Sequence, residues 1–222
     1  MEVRLFAYKL TNDSGFAPNP FWGRLTLATC KPLIRLHKHE GDWIAGFTSS
    51  ELCGHPVGRE RLICLMQVKE KIPIAQYFRD SRFARKIPQP KSLRAIDRVG
   101  DNIYKPKREP ASAPSDFIQL NNDHHFDGRG QCSVGASQRH DLSGLNVLIA
   151  ERFVYFGSEA LVIPEPIRPE IPLGQSAHGV RTKDVSRAKV FIDYVFERAG
   201  RRRIHGPPHK WAPGDGSWRE SE

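Results

Sequence analysis

Arg61-Leu62-Ile63-Cys64-Leu65-Met66-Gln67-Val68-Lys69-Glu70 is apolar through its centre and reads as a strand. Upstream, a Gly41-Asp42 turn opens a second strand, Trp43-Ile44-Ala45-Gly46-Phe47-Thr48-Ser49, and Val3 to Leu10 alternates as a third. Downstream, Ile74 to Phe83 suggests a short helix that returns aromatic side chains to the core. Leu145 to Ala150 and Phe153 to Phe156 are further strand-like runs, split by Glu151-Arg152. Asp184 to Arg198 is the clearest helix, because Val185, Ala188, Phe191, Ile192, Val195, Phe196 and Ala199 recur at three- and four-residue steps. Asp184 or Ser186 can cap it, and Gly200 suits its end. Short strand signals at irregular spacing beside one long helix predict an α+β fold, a small and mostly antiparallel β-barrel with peripheral helices and a C-terminal helix.

The chain has 222 residues, of which 39% are hydrophobic, enough to build a core. Its 17 prolines and 18 glycines demand many turns. One domain is expected over residues 1–200, with disordered loops near 105–116 and 128–141, followed by a basic, flexible tail at 201–222. With 34 Lys+Arg against 25 Asp+Glu, the net charge of +9 favours anionic partners. Nucleic acid comes before membrane, because no basic amphipathic helix with a strongly apolar face precedes the tail. Cys30, Cys53, Cys64 and Cys132 are scattered without a CxxC pair, which fits neither a zinc ribbon nor a disulfide framework. No run approaches the ~20 apolar residues of a membrane span, and the start lacks a signal-peptide core, so a reducing cytoplasm is the expected home.

Gly15-Phe16-Ala17-Pro18-Asn19-Pro20-Phe21-Trp22-Gly23 is a loop by its prolines and glycines, yet it carries three large aromatics. Thr26-Leu27-Ala28-Thr29-Cys30 follows as a short strand halted at Pro32. Two readings stay open: the aromatics cap the core, or they wall a pocket with polar groups interleaved. A pocket for a nucleobase needs stacking faces and a few groups for the base edge. Phe21, Trp22 and Trp43 are the stacking candidates, Asn19, Thr26 and Thr29 the edge candidates, and Lys31 a partner for phosphate. Trp43 lies on a strand, where core packing competes with a ligand role.

Together with Gly41-Asp42-Trp43, Gly100-Asp101-Asn102-Ile103-Tyr104 and Phe153-Val154-Tyr155-Phe156-Gly157, this stretch resembles the nucleotide modification associated domain 2 family over roughly residues 3 to 165. The resemblance implies an association with DNA base-modification systems of bacteria and phages, and possible protein partners within them. A fold-level likeness to PUA-like domains of the EVE and YTH branches rests on the Gly41-Asp42 turn and on Val68-Lys69-Glu70. That likeness implies a base held in an aromatic-walled pocket.

Asp123-His124-His125-Phe126-Asp127 is the cluster with acid–base chemistry written into it, and His124 and His125 are the candidate catalytic residues. A metal would need further ligands that His37, His39, His55 or His140 supply only through the fold, so no metal or cofactor is expected. Cys30 beside Lys31 is a possible nucleophile, but a strand cysteine is more often a small buried hydrophobe. Arg79, Arg82, Arg85 and Lys86 lie beside Tyr77, Phe78 and Phe83 and form the candidate phosphate-binding set. A second basic set runs from Arg198 through Arg201, Arg202 and Arg203 to Lys210. Binding of a nucleobase or nucleotide, within modified DNA, leads. An enzyme acting on that base and a partner-binding accessory subunit are the alternatives.

Overall fold

The computed structural model describes residues 2–124, 135–174, 176–212 and Trp218. In chain order the elements are β1 (Leu5–Leu10), β2 (Leu25–Leu27), α1 (Pro32–His37), β3 (Trp43–Thr48), α2 (Ser50–Cys53), β4 (Leu62–Gln67), β5 (Glu70–Pro73) and α3 (Ile74–Arg79). They continue as α4 (Ala95–Arg98), β6 (Tyr104–Pro106), β7 (Phe117–Gln119), α5 (Ala136–Leu142), β8 (Asn146–Ala150), β9 (Phe153–Tyr155), β10 (Val180–Arg181) and α6 (Val185–Ala199).

The strand that begins at Leu62 does not end at Glu70. It bends at Val68-Lys69 and runs on as β5, while β8 and β9 bend opposite it. Leu65 faces Val154 and Met66 faces Phe153 in the first half; Glu70 faces Ile149 and Lys71 faces Leu148 in the second, in one unbroken register. Gln67 N–H to Arg152 O (3.0 Å) and Lys69 N–H to Ile149 O (2.8 Å) carry the ladder across the bend. This single pair joins a five-stranded sheet, β10-β1-β3-β4-β9, to a three-stranded sheet, β2-β8-β5. A β6–β7 hairpin stands apart from both.

Pairing between the strands is antiparallel except between β1 and β3, so the α+β, mostly antiparallel expectation holds. The expected barrel does not form, since the sheets that the described strands build do not close. The outer side of β9, which closure would need, is taken by the chain after α6. Tyr155 N–H donates to Arg203 O (2.7 Å) and His205 N–H to Tyr155 O (2.9 Å).

Strand alternation sorts the core. Trp43, Ala45 and Phe47 face α6 with Leu5, Leu65 and Val154, whereas Ile44 faces the space between the sheets with Tyr8, Met66 and Leu148. A third cluster on the far side of the small sheet gathers Phe16, Tyr77, Phe83, Ile103, Val147 and Ile149. α6 follows the spacing that predicts it: Asp184 accepts from Arg187 N–H at its start (3.0 Å) and Gly200 ends it. Pro32 does not simply halt a strand. β2 ends at Leu27, and Pro32 opens α1 from the first turn, where its missing N–H costs no helical bond.

Residues 105–116, expected as a disordered loop, lie within the β6–β7 hairpin of residues 104–119, with buried Asp116 accepting from the N–H groups of Ser112 and Ala113. Residues 201–212 are docked rather than trailing. Buried Asp13 accepts from Tyr155 Oη (2.5 Å) and pairs with His209 Nδ1 (2.8 Å), while Trp211 Nε1 donates to Ser14 O (2.9 Å). Gly157 (φ 55°) lets this segment close, because a Cβ there would lie 2.3 Å from Pro207 O. Gly157→Ala is therefore expected to lower stability by about 1–3 kcal/mol and to make the chain after Gly200 sensitive to protease. Urea titration and limited proteolysis read the two effects; wild-type behaviour in both would contradict the docking.

Candidate functional site

The Gly15–Gly23 loop is held from inside. Lys86, only 1% exposed, donates from Nζ to Asn19 Oδ1 (2.7 Å) and Asn19 O (3.1 Å). The Asn19 amide is spent in the same place: Nδ2 donates to Val99 O (3.1 Å), and Oδ1 also accepts from Phe21 N–H (3.2 Å). Thr26 Oγ1 and Tyr77 Oη donate to the two oxygens of Asp101, at 2.6 and 2.8 Å. Burial raises the Asp101 carboxyl above its usual range, against the opposing pull of Lys86. Gly100 allows the close approach, since a Cβ there would sit 2.2 Å from Lys86 O.

Several sequence candidates are therefore structural in this fold. Asn19, Phe21, Thr26 and Thr29 are fully buried. Phe21 packs on Ile96 and Val99 and stacks on Trp211, with centroids 5.6 Å apart. Trp43, 3% exposed, lies under α6 edge-on to Phe196 and away from the loop. Lys86 cannot reach a phosphate from its interior position. Arg79 pairs with Glu109, and Arg82 is clamped by Glu70 and Asp80 at 2.7–2.8 Å. Trp22 is half-buried with the Arg85 guanidinium 3.7 Å from its ring, and Arg85 is the exposed phosphate candidate that has no carboxylate partner among the described residues.

Lys31 and His124 do meet, although 93 residues separate them. They line a cleft of about 470 Å³ with Asn12, Ser14, Cys30 and His140, and with Leu10, Ala17 and Leu33 on its apolar side. His124 lies on the Phe16 ring at 4.8 Å, and its Nδ1 is 3.2 Å from Asn12 Nδ2 and 3.3 Å from Ser14 Oγ. An imidazole that accepts from Asn12 at Nδ1 is the tautomer with its proton on Nε2. Asn12 Oδ1 is buried and has no protein partner. His125 lies outside the described residues.

The Lys31 corner is strained and braced. Cys30 (φ 51°) and Lys31 (φ 38°) are consecutive left-handed residues that are not glycine. Beneath them Arg35, 0% exposed, donates to Cys30 O (2.9 Å), Asn146 O (2.8 Å) and Asp141 O. The Asp141 carboxylate accepts from Cys30 N–H (2.6 Å) and Tyr104 Oη (2.8 Å). Burial, with Asp141 nearby, pushes the Cys30 thiol up to about 12, so no thiolate stands ready at neutral pH. Burial lowers the Lys31 ammonium, which has no carboxylate partner among the described residues. Among those residues no group of three His, Cys, Asp or Glu side chains gathers as a metal site.

Asn12, Ser14, Arg35 and Asp141 were not legible as site residues. Asn12 and Ser14 sit in an ordinary turn sequence, and Arg35 and Asp141 meet across more than a hundred positions. The sequence profile of the family described as nucleotide modification associated domain 2 matches residues 2–215. The chain belongs to that family. No curated protein and no solved structure matches it.

Lys86→Met should leave Asp101 buried without its cation and cost about 3–5 kcal/mol at neutral pH. A raised carboxyl binds its proton more readily in the folded state, so acid favours folding there and rising pH removes that advantage. Without Lys86 the carboxyl rises further, and the deficit against wild type should shrink as pH falls through the Asp101 range. Urea titrations at neutral and acid pH decide this; a pH-independent deficit would contradict the assignment.

Proposed function

We propose that this member of the nucleotide modification associated domain 2 family binds a nucleotide unit of modified DNA in the cleft of Lys31 and His124. What supports the reading is the convergence there of a lysine without a carboxylate partner, an imidazole and the orphaned Asn12 acceptor in a cleft with one apolar side. Lys31 takes the phosphate, Asn12 Oδ1 accepts from a base N–H, and the apolar side contacts the face of the base. The buried Arg35–Asp141 brace holds Lys31 before the ligand arrives, so less ordering opposes capture. The site is therefore placed on the Asn12 side of the Gly15–Gly23 loop, and that loop supports its wall rather than supplying the recognition face.

The oriented His124 favours a second reading, in which the protein acts on the bound base. Binding and turnover separate the two: His124→Gln retains affinity in either case and abolishes conversion only if the imidazole moves a proton. Loss of Lys31 in Lys31→Ala should weaken nucleotide binding about ten- to a hundredfold with an unchanged melting temperature. Calorimetric titration with mononucleotides and with short oligonucleotides bearing plain and modified bases, at one stated salt concentration, measures it. Wild-type affinity in Lys31→Ala and Asn12→Ala would remove the cleft from consideration. Because burial lowers the Lys31 ammonium, binding should also fade with rising pH before an ordinary lysine would deprotonate.

A further inference from the structure

The two basic sets of the sequence come together in the fold. A cleft of about 390 Å³ lies between the end of α6 and the β8–β9 turn, lined by Arg152, Arg201, Arg202 and Arg203 over Phe153 and Phe196. Arg203 Nη1 donates to Gly23 O (3.0 Å), which places this cleft beside the loop residue Trp22. Arg85 and Arg94 lie over the Trp22 ring at 3.7 and 5.7 Å. Arg85, Arg94, Arg152 and Arg203 are thus positioned by aromatic rings or backbone, while Arg201 and Arg202 are exposed beside them. Arg152 stands 4.9 Å from the Trp43 ring and 4.8 Å from that of Phe196, and Arg203 stands 5.8 Å from that of Phe153.

Counter-charge is sparse on this face. Arg85, Arg152, Arg201, Arg202 and Arg203 have no carboxylate partner among the described residues, whereas Arg94 faces Asp97 at 3.9 Å and Arg79, Arg82, Arg98 and Arg187 are each paired. Glu151, the acid of the cleft, turns to Arg24 at 3.3 Å. We propose that this face binds the sugar–phosphate backbone of a polynucleotide strand, at a second site separate from the Lys31 cleft. Guanidinium groups already oriented on rings present paired N–H donors to phosphate oxygens at little ordering cost. Several unpaired cations in a row favour a polyanion over a single anion, because each phosphate contact releases condensed counterions.

The test uses the full chain and a mixed-sequence single-stranded oligonucleotide followed by fluorescence anisotropy across a salt series. Arg152→Glu/Arg202→Glu should bind at least tenfold more weakly. Its slope of log K against log salt should be shallower by about 1.4–1.8, two contacts at roughly 0.7–0.9 each. Lys183→Glu/Lys189→Glu, an equal charge change on exposed residues before and early in α6, should bind like wild type. Arg202→Glu alone, which leaves the Arg152 ring contacts intact, should give about half the slope change. An unchanged slope, or an equal loss in the lysine variant, overturns the proposal. So does loss of binding to phosphatidylserine vesicles with oligonucleotide affinity intact. Mononucleotide affinity should be untouched in the arginine variants, so failure here and failure of the Lys31 cleft are distinguishable.

Discussion

One buried ammonium ties together segments that the chain keeps far apart. Lys86 ends a 3₁₀ turn over Ser81–Lys86, yet its Nζ lies under the Asn19 loop and beside Asp101. Taking a lysine and an aspartate out of water is costly, and the fold offsets that cost only by satisfying both ends. Asn19 receives the ammonium while Thr26 and Tyr77 donate to the carboxylate. The arrangement specifies position more than it adds stability. With Lys86 committed inward, the loop has one resting place, Phe21 is pressed onto Val99, and the Ser14–Ala17 side is left as a wall.

A second buried cation does similar work across the cleft. Arg35 bonds three carbonyl groups, one in the left-handed turn at Cys30-Lys31, one in α5 and one at the start of β8. Gly144 makes room for it, since a Cβ there would meet the guanidinium at 2.7 Å. The strained Lys31 backbone is thus over-determined by its surroundings, a pattern found where a side chain must be held in one direction.

The bent β4–β5 and β8–β9 pair gives these two braces a common frame. Its register sets the small sheet against the large one, so β2 and β8 carry the loop and the Arg35 carbonyls while β9 receives the chain after α6. Because that returning chain carries Arg201–Arg203 and pairs with Gly23, the same frame sets the arginine face on the Trp22 side of the loop and the Lys31 cleft on the Asn12 side. A nucleotide unit and a strand backbone would then meet opposite edges of one loop.

The sequence by itself determined the local pieces. Periodicity and capping placed α6 within a residue of its ends, and apolar runs located β1, β3, β4, β8 and β9, because those signals depend on neighbours a few residues away. Lys31 and His124 were also legible as chemistry. Only the tertiary structure decided what the other polar residues do. Asn19 looks like a base-reading amide in sequence, but its partners Lys86 and Val99 lie 67 and 80 positions away. The bend at Val68 falls where the apolar run gives way to Lys69-Glu70-Lys71, a change that reads in sequence as the end of a strand. The docking of residues 201–212 rests on Asp13 and the edge of β9, contacts with no expression in local composition. Burial of a charged or aromatic side chain is a property of what comes to cover it, and here the cover comes from distant parts of the chain.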